Sequence, residues 1–393
     1  MEKVFICADR KFPHGDAGGN RIEYLAQCLL AQGIQPIVIS MGENNRADKV
    51  KARMYYRYNK IIYKNIKLKS GKIGQFEKYF CAGKYVGQEL KKFKIKSGTT
   101  IVIYTSNPFF AKQITSSIPE KLKCKYYYDV VEWFDETCYK FGKWDPKYKI
   151  FKKCFNDIYT SGNGVIAISK NIERHFASLG CETVYFPICM DASKFKMIPN
   201  HQFDKVIHYI YPGNPEHKDD IVTMLRAIDA LELDEKERIK FHFTAVSEKT
   251  IRNILGGYAY LLENLKKTVI FHPWMEYDEL LKLYGQVDSL FMLRLDNLVT
   301  KSNFPSKVPE LLACGVIITA NDSGDFFSFL SEGTDSIKIT ENTVDACVDA
   351  IRQLLHLSEQ KRRQMSLAAI KCANEQFNYL KYSDSISKFL LRK

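Results

Sequence analysis

The chain has 393 residues, of which 46% are hydrophobic and 26% charged. This length predicts two or three domains, and the composition is that of a folded globular protein rather than a disordered one. The longest apolar runs, such as residues 311–320, reach about half the roughly 20 residues that a bilayer span needs. The first ten residues lack the apolar core of a signal peptide. Eleven cysteines without a C-x-x-C pair argue against a disulfide framework or a zinc ribbon and favour the cytoplasm.

The net charge of +13 is concentrated in the first half of the chain. Residues 46–96 alone contain 16 basic and three acidic residues, with nine aromatic residues among them. One interpretation is a solvated, lysine-rich face above core aromatics. The other is a surface that meets an anion, which could be a lipid headgroup layer, a charged glycan or a nucleic acid. Charge alone leaves both interpretations open.

Short apolar runs alternate with amphipathic stretches along the chain, which predicts α/β layering. Helices are predicted over residues 20–32 and 170–179, and the strands before the midpoint over residues 4–8, 37–40, 100–104, 125–131 and 165–169. An irregular, proline-bearing stretch follows at 184–199. The rhythm then restarts, with helices between strands predicted over residues 206–211, 240–246, 269–272, 289–293 and 316–319.

These elements predict an α/β fold of two doubly wound, Rossmann-like domains that face each other across a cleft. The first domain would span residues 1–195 and the second residues 196–375. Residues 376–393 are expected to form a helix that packs back on the first domain.

The most informative segment is FPSKVPELLACG, residues 304–315. It begins with Phe304, Pro305, Ser306 and Lys307, which follow a polar loop and open a predicted helix. The unpaired N–H groups and the dipole of a helix start favour an anion. Glu310, one turn further on, could accept two hydroxyls of a ribose. Without any analogy, an ordinary capped helix with a surface glutamate is the favoured interpretation.

With the strand before it and ITANDSGD after it, this segment resembles the signature of GT-B glycosyltransferases. More narrowly, it is similar to the retaining, nucleotide-sugar-dependent group with an E-x7-E motif. In that group the second Glu binds the nucleotide ribose, and Glu310 holds that position. The first Glu is associated with the donor sugar and phosphates, and Ser302 stands in its place. The closer match is the subset with FPSK-like segments that lack the first Glu.

The resemblance covers most of the chain. YPGNPEHKDD, residues 211–220, resembles the strand–Gly–loop–Lys element that opens the family's second domain. The resemblance implies that Gly213 lies beside the donor and that Lys218 contacts its pyrophosphate. Asn214 stands where the family often has an Arg. A solvated lysine before a helix is the alternative for Lys218.

FHPWMEYDEL, residues 271–280, is similar to the family's strand–loop–helix near the nucleotide base. The resemblance implies that His272 and Trp274 line the base pocket. Core or interdomain packing is the alternative for Trp274.

The loop after the first strand contains Gly18 and Gly19, and the family has a Gly-Gly pair there. Because glycine lacks a Cβ, it lets backbone approach a donor phosphate or an acceptor closely. His14 and Asp16 share this loop and are candidates for acceptor contacts, with a solvated side chain as the alternative for His14.

The stretch YYYDVVEWFDE, residues 126–136, ends a predicted strand with several carboxylates. The resemblance makes it the acceptor-side segment, in which Asp129 and Glu132 would hold acceptor hydroxyls and take part in catalysis. A helix-start cap for Asp129 and a salt bridge for Glu132 explain the same residues.

Several motifs do not occur in the sequence. It contains no D-x-D triplet for a divalent cation, no P-loop and no G-x-G-x-x-G after a strand. The eight histidines show no metal-ligand spacing. We therefore expect neither a metal nor a cofactor, and lysine and N–H groups would neutralise the diphosphate instead.

The resemblance implies a retaining, metal-independent glycosyltransferase whose first domain, residues 1–195, binds the acceptor and whose second domain, residues 196–375, binds the nucleotide sugar. It would move a sugar from a nucleotide diphosphate to a hydroxyl of a surface glycan or lipid-linked saccharide, and UDP is the first candidate for the nucleotide. The basic first domain would rest on the anionic inner leaflet, so a cytoplasmic, peripheral membrane protein that binds no nucleic acid is expected. Two alternatives stay open: a sugar-nucleotide epimerase of the same fold, and a nucleic-acid-binding protein that uses residues 46–96.

Overall fold

The computed structural model describes residues 2–13, 16–45, 48–50, 55–195, 203–215 and 218–392. The chain forms two compact units, one comprising Met1–Cys189 with Tyr379–Lys393 and the other Met190–Asn378. Each unit is built around one β-sheet. Within the described residues, no helix is both long enough and apolar enough to cross a membrane.

The first unit alternates strands and helices. Its strands are β1 (Lys3–Lys11), β2 (Gln35–Met41), β3 (Tyr56–Tyr58), β4 (Ile61–Ile66), β5 (Thr100–Tyr104), β6 (Lys125–Val130), β7 (Gly164–Ala167) and β8 (Thr183–Tyr185). The helices between them are α1 (Ala17–Ala31), α2 (Gly71–Phe80), α3 (Ala82–Lys92), α4 (Pro108–Ser117), α5 (Pro146–Lys153) and α6 (Lys170–Ser178). The sheet order is β3-β4-β2-β1-β5-β6-β7-β8, and only β3 pairs antiparallel, with β4.

The second unit has a fully parallel sheet. Its strands are β9 (Ile207–Pro212), β10 (Ile239–Thr244), β11 (Val269–His272), β12 (Ser289–Met292), β13 (Ile317–Asn321) and β14 (Ser336–Ile339). The helices are α7 (Ile221–Asp229), α8 (Leu233–Glu237), α9 (Glu248–Leu255), α10 (Leu261–Asn264), α11 (Tyr277–Tyr284), α12 (Leu298–Ser302), α13 (Val308–Ala313), α14 (Val344–Leu355) and α15 (Glu359–Cys372). The order β11-β10-β9-β12-β13-β14 is the doubly wound 3-2-1-4-5-6 arrangement.

The last helix, α16 (Ser383–Leu390), belongs to the first unit. It buries Ile386, Phe389 and Leu390 in that unit's core. The Phe389 ring lies against Gly164 of β7, where a Cβ would come within 2.6 Å of the ring. A side chain at position 164 would therefore displace the helix.

The basic segment, residues 46–96, contains more strands and helices than its sequence predicts. It includes β4, which lies parallel to β2 and buries Ile61, Tyr63 and Asn65 on one side. Lysines are so frequent in this segment that the alternation of buried and exposed residues along β4 is hard to recognise in the sequence. The sequence patterns also missed β14 and α14. The helix expected over residues 376–393 is shorter than predicted, and α16 covers Ser383–Leu390.

A buried ion pair joins α1 to β6 in the first unit. The Nε of Arg21 donates to both Asp129 oxygens at 3.0 and 2.9 Å, and Nη2 donates to Oδ1 at 2.7 Å. Its Nη1 donates to the carbonyls of Phe186 and Pro187 at 2.8 and 3.2 Å. The two side chains are 1% and 0% exposed. Removing either partner would leave a charge buried without compensation.

We predict that Arg21→Met lowers the free energy of unfolding by about 3–5 kcal/mol, because the Asp129 carboxylate stays buried without its cation. Urea unfolding followed by circular dichroism measures this loss. The control is Asp384→Asn, which breaks the exposed Lys388–Asp384 pair at 2.8 Å in the same unit. That change should cost less than about 1 kcal/mol. Equal losses for both variants would contradict the role given to the Arg21–Asp129 pair.

Candidate functional site

The strand order of the second sheet reverses between β9 and β12. In open α/β sheets, ligands bind outside the carboxyl ends of the strands at such a switch point. Gly213 and Lys218 follow β9, and Arg294 follows β12. The N–H of Leu295 donates to the carbonyl of Lys218 at 2.9 Å, which holds the two segments side by side. Gly213 has a φ of 99°, a backbone conformation that favours glycine.

A buried arginine organises this edge of the sheet. Arg294 is 3% exposed, its Nε lies 3.4 Å from Oδ1 of Asp219, and its Nη1 donates to Oδ1 of Asn303 at 2.8 Å. The Tyr211 hydroxyl donates to the other Asp219 oxygen at 2.5 Å. Asn321, at the end of β13, bonds the Arg294 backbone N–H and carbonyl, each at 2.8 Å. Burial lowers the pKa of Arg294, although Asp219 opposes the shift.

Sequence analysis missed this network. The available signal was a charged residue, Arg294, placed directly after an apolar strand. Such a residue lies at the end of the sheet where ligands bind, but nothing in its spacing identifies Asp219 or Asn303 as partners. Arg294 is a positioning residue, because it connects the loops that carry Lys218 and the FPSK segment.

The FPSK segment differs from its prediction in where the helix starts. Helix α13 begins at Val308, and Lys307 is its N-cap without a side-chain cap hydrogen bond. The Val308 N–H donates to the carbonyl of Pro305 at 3.2 Å, and Pro309 has no N–H to offer. The prediction that the helix opens at Ser306 is therefore wrong. Ser306 and Lys307 lie in the turn that precedes the helix.

Lys307 and Glu310 lie on one side of this turn. The Nζ of Lys307 is 3.3 Å from Oε2 of Glu310, and both side chains are partly exposed. The connections that leave β9 and β12 thus carry two lysines and one carboxylate, because Lys218 follows β9 whereas Lys307 and Glu310 lie at the start of α13. This combination can neutralise a diphosphate and bind hydroxyl groups.

Two of the predicted donor residues belong to the core instead. Ser302 is fully buried at the end of α12. Phe304 is also buried, and its ring centre lies between 5.7 and 6.5 Å from those of Phe326, Phe329 and Phe377. This packing gives no support to a donor contact by either residue. Pro305 and Ser306 are partly exposed beside them, as is Gly213, and Asn214 is exposed.

Three histidines form a chain across β9, β10 and β11. The Nδ1 of His208 lies 2.9 Å from Nε2 of His242, whose Nδ1 lies 2.8 Å from Nε2 of His272. Burial, with further contributions from His208, His272 and Lys240, lowers the pKa of His242 to about 3. Burial also lowers the pKa of His272. Trp274, two residues further on, is 71% exposed and is not part of its own unit's core.

Among the described residues, no group of three or more His, Cys, Asp or Glu side chains is placed to hold a metal ion. The contacts within the histidine chain are hydrogen bonds between rings, which require at least one unprotonated nitrogen in each pair. The chain therefore stabilises this part of the sheet in its neutral form.

In the first unit, Gly18 and Gly19 lie in the first turn of α1 rather than in a loop. Asp16 is the N-cap and accepts from their N–H groups at 3.0 and 3.3 Å. A Cβ on Gly19 would lie 2.9 Å from the carbonyl oxygen of Lys11. A Cβ on Gly18 would lie 2.9 Å from the Tyr104 hydroxyl. The glycines let the helix pack against β1, and Asp16 stabilises the helix start.

The predicted acceptor residues have different surroundings. Both oxygens of Asp129 are bound by Arg21, so the geometry supports a structural role and gives no support to acceptor binding. Glu132 is partly exposed and lines a small cavity of about 20 Å³ with Arg10 and Tyr104. His14 lies outside the described residues.

Residues 194–371 match the family described as glycosyl transferases group 1. The match covers the second unit rather than the whole chain. A glycosyltransferase group 1 domain at these residues, together with the structural similarity described next, indicates a transferase enzyme. None of the curated proteins matches the chain in sequence.

Solved structures match over nearly the whole chain. Sucrose-phosphate synthase from Thermosynechococcus elongatus has a TM-score of 0.71 at 13% identity, covering 99% of this chain and 98% of that one. A UDP-forming trehalose-phosphate synthase from Burkholderia xenovorans has a TM-score of 0.67 at 10% identity, and the match covers 99% of this chain and 99% of that one. WaaG, a glycosyltransferase involved in lipopolysaccharide biosynthesis, has a TM-score of 0.67 at 12% identity, and the match covers 99% of this chain and 100% of that one. The two parallel-sheet domains thus have the GT-B glycosyltransferase fold, as predicted.

The histidine chain predicts a dependence of stability on pH. Between about pH 6.5 and pH 3, an unfolded chain protonates His242, whereas the folded chain leaves it neutral. The free energy of unfolding should therefore fall as the pH is lowered through this window, by about 2 kcal/mol between pH 7 and pH 5. Urea unfolding at the two pH values measures this loss.

In the His242→Gln variant, the loss between pH 7 and pH 5 should shrink by most of that amount. The matched control is His356→Gln, at an exposed position on the same unit, which should behave as the unaltered chain. If His242→Gln and His356→Gln show the same pH dependence, the account of the histidine chain is incorrect.

Proposed function

We propose that the protein transfers a sugar, with retention of configuration, from a UDP-sugar to a hydroxyl of a surface glycan or lipid-linked saccharide. The observation that carries the proposal is the chain order at the switch point of a GT-B domain: Lys218 follows β9, Lys307 and Glu310 lie at the start of α13 in the connection that leaves β12, and the N–H of Leu295 joins the segments after these two adjacent strands. The lysines would bind the diphosphate, and Glu310 would accept hydrogen bonds from the ribose.

The chemistry follows from where charge develops. As the bond between the sugar C1 and the phosphate oxygen breaks, the sugar gains oxocarbenium character and negative charge builds on the leaving diphosphate. Lys218 and Lys307 would stabilise that charge, as positioned cations do in sites that exclude water. The leaving phosphate can take the acceptor proton on the face from which it departs, which retains configuration. No metal ion is needed in this scheme.

The neighbours support the choice of nucleotide and acceptor. The Burkholderia xenovorans enzyme is described as UDP-forming, and WaaG as acting in lipopolysaccharide biosynthesis. In this chain the first unit would bind the acceptor, with Glu132 as its candidate hydroxyl ligand. The excess of basic residues over 46–96 would favour an anionic acceptor or the anionic face of a membrane.

We predict that UDP or a UDP-sugar raises the melting temperature, whereas GDP, CDP and dTDP do so less. Glu310→Gln should weaken binding about tenfold because the ribose loses a charge-assisted acceptor, and Lys218→Ala should weaken it by a similar factor. Thermal shift over a nucleotide series, followed by titration calorimetry, measures both effects. The matched control is Lys249→Ala, an exposed lysine on α9. Absence of a shift with every nucleotide would contradict the proposal.

A second prediction concerns metal ions. EDTA should leave both nucleotide binding and sugar transfer unchanged, because the lysines rather than a divalent cation neutralise the diphosphate. Product analysis by NMR should show the anomeric configuration of the donor. Loss of nucleotide binding in EDTA, restored by Mg²⁺ or Mn²⁺, would contradict metal independence.

A further inference from the structure

The first unit contains a large cavity at the carboxyl ends of β1, β2 and β4. Its volume is about 880 Å³. Its basic lining residues are Arg10, Lys11, Lys67, Lys69 and Lys78, and its acidic ones are Asp9 and Glu43. We call it the cationic cavity.

The charges in the cationic cavity do not balance. Glu43 pairs with Lys67 at 2.7 Å, and Asp9 lies 3.7 Å from Nε of Arg10. Burial raises the pKa of Asp9, whereas Arg10, Thr105 and Lys78 oppose the shift. The Nζ of Lys69 lies 3.6 Å from Oε1 of Glu77, and Lys78 acts on Asp9 through its charge. Within the part of the chain that the structure describes, no carboxylate forms a close ion pair with Lys11 or Lys78, so the lining keeps an excess of positive charge. A polyvalent anion would supply the missing negative charge.

The walls of the cavity are held in place by a buried asparagine. Asn65, at the end of β4, accepts a hydrogen bond from Ser40 at 3.0 Å and donates to the carbonyl of Glu43 at 2.9 Å. Its backbone N–H and carbonyl both bond the Asn44 side chain, each at 2.8 Å. The loop after β2 is thus fixed to the end of β4, which holds this wall of the cavity in place.

An apolar surface begins at the same place. Ile73 lines the cavity and is 61% exposed on α2. Phe76 and Phe80 continue along the same helix face at 59% and 42% exposure, and Phe109 of α4 packs on Phe80 with ring centres 5.4 Å apart. We call Ile73, Phe76, Phe80 and Phe109 the apolar ridge. Large side chains left in water beside lysines are typical of a helix that lies in a lipid interface.

We propose that the cationic cavity binds the phosphate or diphosphate of a lipid-linked saccharide acceptor, while the apolar ridge contacts its hydrocarbon chain. The charge imbalance matches a phosphate group, and the ridge matches an amphiphile, so one ligand satisfies both features. A soluble sugar phosphate would satisfy the cavity alone. The proposal rests on the proposed function, because it names the acceptor of that transfer.

The test measures flotation of the full chain with phosphatidylcholine vesicles that contain either a polyprenyl phosphate or phosphatidylglycerol at equal surface charge. The cavity variant is Arg10→Gln, Lys11→Gln and Lys78→Gln together, and the ridge variant is Phe76→Ser with Phe80→Ser. The charge-matched control replaces three exposed lysines elsewhere in the first unit, Lys121, Lys152 and Lys153, with Gln. UDP-induced stabilisation of each variant reports folding and the donor site separately.

The unaltered chain should bind polyprenyl phosphate vesicles about tenfold more tightly than phosphatidylglycerol vesicles. The cavity variant should lose this preference, the ridge variant should bind both vesicles weakly, and the control should match the unaltered chain. Inorganic pyrophosphate should compete with the polyprenyl phosphate vesicles, which tests the cavity without any variant.

Equal binding of both vesicles by the unaltered chain would overturn the proposal, as would a cavity variant that keeps the preference. If a hexose 1-phosphate binds through the cavity while the vesicles do not bind, the lipid-linked acceptor is replaced by a soluble one. In each of these cases, an unchanged response to UDP would show that the donor site of the proposed function is intact.

Discussion

A cation buried at the carboxyl edge of the second sheet constrains the site on which the proposed chemistry depends. Arg294 cannot remain charged away from water unless neighbouring groups compensate it. The compensation comes from Asp219 on the loop after β9, Asn303 before the FPSK turn, and Asn321 at the end of β13. The ion pair and the hydrogen bonds of Arg294 therefore fix three loops relative to one another. Lys218 precedes Asp219 and Lys307 lies four residues after Asn303, so both lysines belong to segments that this arrangement fixes.

The strand pattern made the second unit predictable. Its apolar runs are short and separated by turns, so β9, β12 and β13 lie close to where the sequence placed them. The order of the strands could not be seen in the pattern, because it depends on which sheet edge each helix crosses. The GT-B fold came from the resemblance of the FPSK segment, and the structural neighbours support it independently.

Individual side chains were harder to place. Asp129 and Glu132 look equivalent in sequence, and both line the same small cavity, yet the Asp129 carboxylate is buried and bound by Arg21 whereas Glu132 is partly exposed. The partner lies 108 residues away, so no local spacing could reveal it. Gly18 and Gly19 match a phosphate-binding loop in pattern, but they serve the packing of a helix start. The residue types therefore indicated where a candidate site lies better than they indicated what each side chain does there.

The two units divide charge and motif between them. The segments that resemble a nucleotide-sugar site lie in the second unit, whereas the excess of lysine lies in the first, where basic residues line the cationic cavity beside exposed aromatics. We therefore propose one anionic ligand for each unit, the donor diphosphate for the second and the acceptor phosphate for the first.

A crystal structure of the full chain with bound UDP tests the central claim most directly. The account predicts the diphosphate within hydrogen-bonding distance of the Lys218 and Lys307 ammonium groups, with the ribose hydroxyls on the Glu310 carboxylate. A nucleotide bound away from the carboxyl ends of β9 and β12, with Glu310 making no contact to it, would contradict the account.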